Sequence, residues 1–407
     1  MSSTDPIRVL YSFPHRLGAA RICYTAWQQV NGLAAAGANV IVCPASVQRP
    51  PASNVKVWPT LSRGRIRIPF KLLGKFRAFA IHDYLVSRRI ETLVGQIDII
   101  HTWPMAALQT LKTAARLRIP AVLERPNAHT QTYYEMVRSE CDRLALSLPS
   151  NHEHSSNPDV VRKEEEEYRL SYRLLCPSDF VVRTFLDQGF QSDKLARHRY
   201  GYDEKVYFPG DRAPNINKGL RVLFVGVCAP AKGLHYALRA WLQSSAHRKG
   251  IFEIAGEFVP SYADKLARML SHPSIKVLGY RQDVADLMRK SDILVLPSIG
   301  EGFGLVCADA IGSGTVPLVS DACTDICKHM QNALVHRVGD VKTLAQQMSV
   351  LDGDRALLQR LSDGCLSVAS SVTWAAAGER LLHVYREAIT ASRREVCAAN
   401  ETICSVT

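Results

Sequence analysis

The residues best equipped for chemistry lie in one short segment, Asp292–Asp321 (DILVLPSIGEGFGLVCADAIGSGTVPLVSD). A β-rich run, Ile293–Leu296, ends at Pro297. A loop follows with Gly300, Gly302 and Gly304 around Glu301, and then a helical stretch, Leu305–Gly312. Glycines let a backbone turn tightly and approach a ligand closely. A helix N-terminus just beyond offers unpaired N–H groups and the positive end of a dipole, which together suit a phosphate or diphosphate. Glu301 stands in the loop, and Asp309 eight residues later, about one turn inside the helix. Carboxylates repel a phosphate, so their natural partners are hydroxyls. The pattern therefore predicts a ligand with phosphate and polyol together, as in a nucleotide sugar. A second loop, Leu223–Gly233 (LFVGVCAPAKG), puts Lys232 between a strand and a helix. A point positive charge there suits a diphosphate.

The elements that position these residues read as two α/β series. In the first, strands at Ile7–Ser12, Asn39–Cys43, Ile97–His101 and Ala121–Leu123 alternate with helices at Arg21–Ala36, closed by Gly37, and Ala106–Leu117. Ser147–Val161 is polar and reads as a loop. Glu164–Glu167 reads as a solvated acidic run at the head of a helix, where the dipole favours negative charge. Asp211–Gly219 is turn-rich and reads as a linker. A second series follows, with strands at Leu220–Gly226, Ile251–Gly256, Ile275–Leu278, Ile293–Pro297 and Val316–Ser320, and a long helix from Trp374 to about Arg394. Strands that are apolar throughout and joined by helices mean parallel sheets covered on both faces. The expectation is an α/β protein with two doubly wound, Rossmann-like domains facing across a cleft. Their bounds are 1–213 and 214–373, with a terminal helix at 374–395 packing back on the first and a tail at 396–407. Ligands of such sheets sit outside the carboxyl ends of the strands.

Several stretches in order resemble glycosyltransferase family 4, the retaining GT-B enzymes. EGFGLVCADA resembles that family's acid–seven–acid signature, with Asp309 where the family usually has Glu. LFVGVCAPAKG is similar to its phosphate loop, with Val227 at a position usually held by Arg. Tyr200–Pro209 (YGYDEKVYFP) and Ile97–His101 (IDIIH) resemble two further family stretches. The resemblance implies the GT-B fold and transfer of a hexosyl group from a nucleotide diphosphate sugar, with no cofactor and no metal. Glu301 would bind donor-sugar hydroxyls beside the reacting carbon, and Asp309 the ribose. The amides of Gly304, Leu305 and Val306, with Lys232, would hold the diphosphate. Arg281 would stand in for the missing Arg, and Tyr280 is either a base contact or a packed aromatic. On the acceptor side, Leu123–Thr130 (LERPNAHT) supplies His129 as the catalytic histidine with His101 as alternative, Arg125 would bind an acceptor phosphate or carboxylate, and Gly18 in Pro14–Ala19 would let the backbone approach the donor.

Composition bounds the remainder. The chain has 407 residues with 50 Lys+Arg against 38 Asp+Glu, a formal charge of +12. This excludes a disordered chain, since 47% of residues are hydrophobic, and favours anionic partners. The basic residues concentrate between Arg63 and Arg89, where cations alternate with Ile66, Ile68, Phe70 and Phe76. That mixture reads either as a segment lying on an anionic membrane or as a basic surface helix packed on its domain. No nucleic-acid module is recognisable. Eleven scattered cysteines imply free thiols in a reducing compartment; Cys323 and Cys327, four apart on a helix, make a weak zinc pair. Asp352-Gly353-Asp354 reads as a turn. Met1–Pro6 is short and polar, unlike a signal peptide, and no run reaches the length of a membrane span. The expected place is the cytoplasm or the inner face of a membrane. The leading function is synthesis of a surface polysaccharide or glycolipid. The alternatives are a GT-B enzyme with a soluble sugar-phosphate acceptor and a non-catalytic relative that binds nucleotide or glycan.

Overall fold

A computed structural model describes residues 6–64, 66–68, 73–149, 152, 154–210 and 219–404. The linker expected over Asp211–Gly219 therefore falls, Gly219 apart, outside the described residues, as do Arg65, Phe70 and Lys71 of the basic stretch.

The N-terminal half runs β1 (Arg8–Leu17), α1 (Ile22–Ala35), β2 (Asn39–Val47), β3 (Lys56–Val57), the hairpin β4 (Ser62–Arg63) and β5 (Ile66–Arg67), α2 (Lys75–Glu91), β6 (Ile99–Thr102), α3 (Leu108–Arg116), β7 (Ala121–Glu124), α4 (Thr130–Arg143), α5 (Pro158–Leu170), β8 (Arg173–Cys176), α6 (Asp179–Leu186) and β9 (Leu195–Arg197). The C-terminal half runs β10 (Arg221–Val225), α7 (Leu234–Gln243), β11 (Ile251–Ala255), α8 (Pro260–Leu270), β12 (Ile275–Gly279), α9 (Val284–Lys290), β13 (Ile293–Leu296), α10 (Leu305–Gly312), β14 (Val316–Ser320), β15 (Leu334–His336), α11 (Val341–Gly353) and α12 (Arg355–Val368). The helix α13 (Trp374–Cys404) follows.

Each half is built on one parallel sheet, in the order β3-β2-β1-β6-β7-β8-β9 and β12-β11-β10-β13-β14-β15. In each, the first strand lies inside the sheet and the chain reverses direction beside it, between β1 and β6 in one half and between β10 and β13 in the other. Such a switch point leaves a crevice at the carboxyl ends of the two strands. The strands read as Val, Ile and Leu because both faces are buried: Val9, Ile99, Val222 and Leu294 all have at most 1% exposure. α13 returns to the N-terminal half, where Leu381, Tyr385 and Ile389 join the core of β1 and α1. The crossing is close because it is glycine on glycine: a Cβ at Gly378 would lie 2.4 Å from the Gly32 carbonyl carbon.

Three expectations are corrected here. β1 runs five residues further than the expected Ile7–Ser12, to Leu17, so the first strand–helix connection starts later. Cys323 and Cys327 lie in turns between β14 and β15, which removes the helical spacing assumed for them. The acidic run is not at a helix head. α5 starts at Pro158, capped by Asn157, whose side chain accepts from the amides of Asp159 and Val160, so Glu164–Glu167 falls in its second half. There Glu164 and Glu167 face inward and are 7% and 0% exposed. Glu165 and Glu166 pair outward with Arg169 and Lys112. Asp352 and Asp354 serve locally, Asp352 accepting from the Leu220 amide and Asp354 capping α12 through the Leu357 amide.

Candidate active site

The two switch points face each other across a cleft of about 1060 Å³ lined by both halves. On the C-terminal wall, two loops are locked together. The Ile299 amide donates to the Ala231 carbonyl (2.9 Å). Gly233, at φ +66°, packs so tightly that a Cβ would lie 2.1 Å from the Pro297 carbonyl oxygen. This packing brings residues 69 positions apart into contact: Lys232 Nζ donates to Glu301 Oε1 at 2.5 Å. Ser298 Oγ donates to the same oxygen at 2.7 Å, and the Glu301 amide is held by the Ala322 carbonyl. Burial alone would lower the Lys232 pKa, but the Glu301 carboxylate raises it above the usual lysine range. A fixed ammonium charge therefore stands in the cleft.

Beside this pair, Gly304 takes the left-handed conformation (φ +67°) that caps α10, which glycine adopts without strain. The first turn of α10 then presents Leu305 and Val306 to the cleft, and their amides lack helical partners. Asp309, one turn further on, faces the same cleft. Its carboxyl is pushed well above the usual range by burial and by the Asp203 carboxylate, and it shares a hydrogen bond with Tyr207. Tyr280 and Arg281 stand at the rim. Tyr280 is 65% exposed, a free ring rather than a packed one, and Arg281 is forked onto Asp283 (2.7 and 2.5 Å). Val227 also lines the cleft. Glu301, Asp309, Lys232, Gly304, Leu305, Val306, Tyr280 and Arg281 thus share one wall.

The N-terminal wall differs from expectation. His129 is 1% exposed, its ring packed against Tyr168, Phe185 and Phe190 rather than in the cleft. Burial, with the Arg125 charge, lowers its pKa to about 4. His129 is corrected to a core residue: at the start of α4 its amide donates to Thr184 Oγ1 of α6, and its ring turns into that aromatic packing. His101 is corrected likewise. It is fully buried, stacked on Tyr11, with Nδ1 2.6 Å from the Tyr385 hydroxyl of α13. Gly18 is corrected: it is not among the residues that line the cleft but packs on Arg49, where a Cβ would lie 2.5 Å from Arg49 Cβ. His15 takes the cleft position instead, its pKa lowered to about 4 by burial and the nearby Lys75. Arg125 does line the cleft but is 2% exposed, lying over the Tyr168 ring at 4.5 Å and 3.4 Å from Glu164.

One part of this wall is apolar and was not found from sequence as cleft lining: Phe76, Phe79, Trp103 and Met105; Arg21, Lys75, Asn127 and Glu164 line it beside them. The signal available was position, since Trp103–Met105 directly follows a strand. Tyr207, missed on the donor side, lies within YGYDEKVYFP.

The halves are in contact across the cleft. A Cβ on Gly302 would lie 1.6 Å from the Pro126 carbonyl oxygen. Glu140 of α4 accepts from the Tyr236 hydroxyl of α7 (2.6 Å), and Asp325 pairs with Arg197 (2.8 Å).

Comparison with known proteins places this geometry. Residues 219–354 match the family described as glycosyl transferases group 1. A D-inositol 3-phosphate glycosyltransferase of Nocardia farcinica is 30% identical over 340 residues, covering 75% of this chain and 70% of the relative. Two solved structures share the fold. HepE of Anabaena, in complex with UDP, has a TM-score of 0.65 at 15% identity, covering 94% of this chain and all (100%) of that one. Sucrose-phosphate synthase of Thermosynechococcus elongatus has a TM-score of 0.67 at 15% identity, covering 95% and 100%.

Proposed function

The chain belongs to the group 1 glycosyltransferases with the GT-B fold, and from that premise we propose that it transfers a hexosyl group, with retention, from a nucleotide diphosphate sugar to an acceptor hydroxyl. The observation that carries this is the convergence of Lys232, Glu301 and the first turn of α10 on one point of the cleft. The diphosphate lies on the amides of Leu305 and Val306 and on the Lys232 ammonium. Asp309 takes the ribose hydroxyls. Glu301, still held by Ser298, takes hydroxyls of the donor sugar. Tyr280 meets the base and Arg281 reinforces the phosphate side. UDP as the nucleotide is supported by its presence in the Anabaena relative's structure.

The bond from the sugar's anomeric carbon to the diphosphate oxygen breaks, and the acceptor oxygen bonds to that carbon on the same face. The acceptor's proton passes to the departing phosphate oxygen, so no side chain acts as a strong base. Lys232 and the amides stabilise the charge that develops on the leaving group. Preorganised donors of this kind carry about 10²–10³ in rate each. The proposal contains no metal or other cofactor.

The acceptor is amphiphilic in this reading, a glycan on a lipid. Phe76, Phe79, Trp103 and Met105 form an apolar patch beside Lys75 and Arg21, and Ile66, on the hairpin that precedes α2, is 77% exposed. That surface would rest on an anionic membrane at its cytoplasmic face; no helix among the described residues is long and apolar enough to cross one. Surface polysaccharide or glycolipid synthesis follows as the role. Sedimentation with anionic vesicles at low salt, lost at high salt, is the expected outcome, and no sedimentation at low salt removes the membrane from the account. For catalysis, UDP or GDP release from a panel of nucleotide sugars is expected from the wild type and lost in Glu301→Ala. A wild type that binds nucleotide and releases none is a binding protein.

A further inference from the structure

The four-acid run of α5 has no part in the donor chemistry, yet two of its members are buried beside the cleft. The Glu167 carboxyl group, its pKa pushed up to about 8 by burial, accepts the amides of Met105 (2.7 Å) and Ala107 (3.0 Å). Four residues earlier on the same helix, Lys163 Nζ donates to the Met105 carbonyl at 2.6 Å. Both backbone groups of Met105 are thus held by α5. Met105 needs such a hold, because it sits at φ +70°, a conformation costly for a bulky side chain and maintained only where its surroundings impose it. The result is that Met105 lines the cleft next to Trp103 and Phe79.

Glu164 does the same for the next loop. It accepts from the hydroxyls of Thr130 and Tyr168 and lies 3.4 Å from Arg125. Residues three apart share a helix face, so the pair reaches the loops after both β6 and β7. Asp83 of α2 completes the frame by accepting the amides of Gln109 and Thr110 at the start of α3.

We propose that Glu167, assisted by Glu164, is a positioning residue for the acceptor: its carboxyl group holds Met105 in the left-handed conformation that shapes the apolar patch. The inference rests on the amphiphilic-acceptor reading above. Removing the carboxyl group frees the Met105 peptide to relax, and the patch loses its form while the donor wall, on the other half, is untouched. Glutamine keeps the volume of Glu167 but turns an amide NH₂ toward one of the two backbone N–H groups it must serve.

The test uses the full chain and three variants, Glu167→Gln, Glu164→Gln and the outward-facing Glu166→Gln. The probes are n-octyl β-D-glucopyranoside, below its micelle concentration, and UDP. Amide exchange over residues 103–110 is followed alongside both affinities. The expected result in Glu167→Gln is octyl glucoside binding weakened at least tenfold, UDP affinity within twofold, and exchange at Met105 and Ala107 faster at least tenfold. Glu164→Gln weakens octyl glucoside by a smaller factor, and Glu166→Gln matches wild type in all three. Equal octyl glucoside binding by wild type and Glu167→Gln overturns the positioning role. No octyl glucoside binding by the wild type instead overturns the amphiphilic-acceptor reading. A variant that loses UDP binding as well shows a general structural role and also overturns the proposal.

Discussion

The two walls of the cleft are assembled by opposite means. On the donor wall, each group comes from a loop that runs straight into a helix, and the two loops are tied to each other by backbone contacts within the same half. On the acceptor wall, an apolar patch of Phe76, Phe79, Trp103 and Met105 stands among polar and charged neighbours, and what fixes its loops is a set of buried acids on helices distant in sequence. Asp83, Glu164 and Glu167 serve backbone or side chains 26 to 62 residues away. The donor wall carries its chemistry in its own motif, whereas the acceptor wall borrows its shape from elsewhere. Substitutions in the first should change catalysis directly, and substitutions behind the second should change what is accepted.

The sharpest way to break this comparison is at the point where the walls touch. In Gly302→Ala the new methyl meets the Pro126 carbonyl, a backbone atom that cannot turn aside, so the halves must part. Displacements of about 1 Å at a reacting centre cost about 10²-fold. Transfer is expected to fall at least that far, with nucleotide affinity, which depends on one half, within about threefold. Equal loss of both would mean that the walls are not separate.

A second test contrasts the expected role of His129 with the one found. Buried among rings, its imidazole is held neutral, with its pKa lowered from 6.5 to about 4. A lowered imidazole pKa means the unfolded chain takes up the proton first. The stability it contributes is present above pH 6.5 and lost as pH falls toward 4. His129→Phe should therefore leave transfer at pH 7.5 within about threefold of wild type and reduce the loss of stability on going from pH 7 to pH 5, by roughly 2 kcal/mol at most. Denaturant melts at the two pH values measure it. A hundredfold loss of transfer would return His129 to the reacting centre. The smallest effect belongs to Tyr280→Ala at the exposed rim, where losing a ring face for the base should weaken nucleotide binding about three- to tenfold, read by calorimetry.

The same contrast explains what was legible in the sequence. Glu301, Asp309, Lys232 and the helix start at Leu305 could be read because strand, glycine turn and helix are consecutive, and the local pattern fixes where each group points. Both parallel sheets could be read because buried strands are apolar throughout. His129 and His101 misled because a histidine after a strand looks the same whether it faces the cleft or the core. Only the packing of Tyr385 from α13 and of Phe185 and Phe190 decides it. Gly18 misled because β1 continues through Pro14 and His15, which read as the start of a loop. The roles of Glu164 and Glu167 had a usable signal. Asn157-Pro158-Asp159 is a helix start, and counting from it puts the two acids on one face in the helix interior. What they hold depends on contacts to loops about 30 and 60 residues away, which no local pattern contains.

The central claim is that the donor's diphosphate lies against Lys232 and the first turn of α10. Titration calorimetry with UDP and GDP, on wild type and Lys232→Ala, tests it most directly. The account predicts that at least one nucleotide binds the wild type and that its affinity drops at least tenfold in Lys232→Ala, where the unpaired Glu301 carboxylate then faces the phosphates. Unchanged affinity in Lys232→Ala would contradict it.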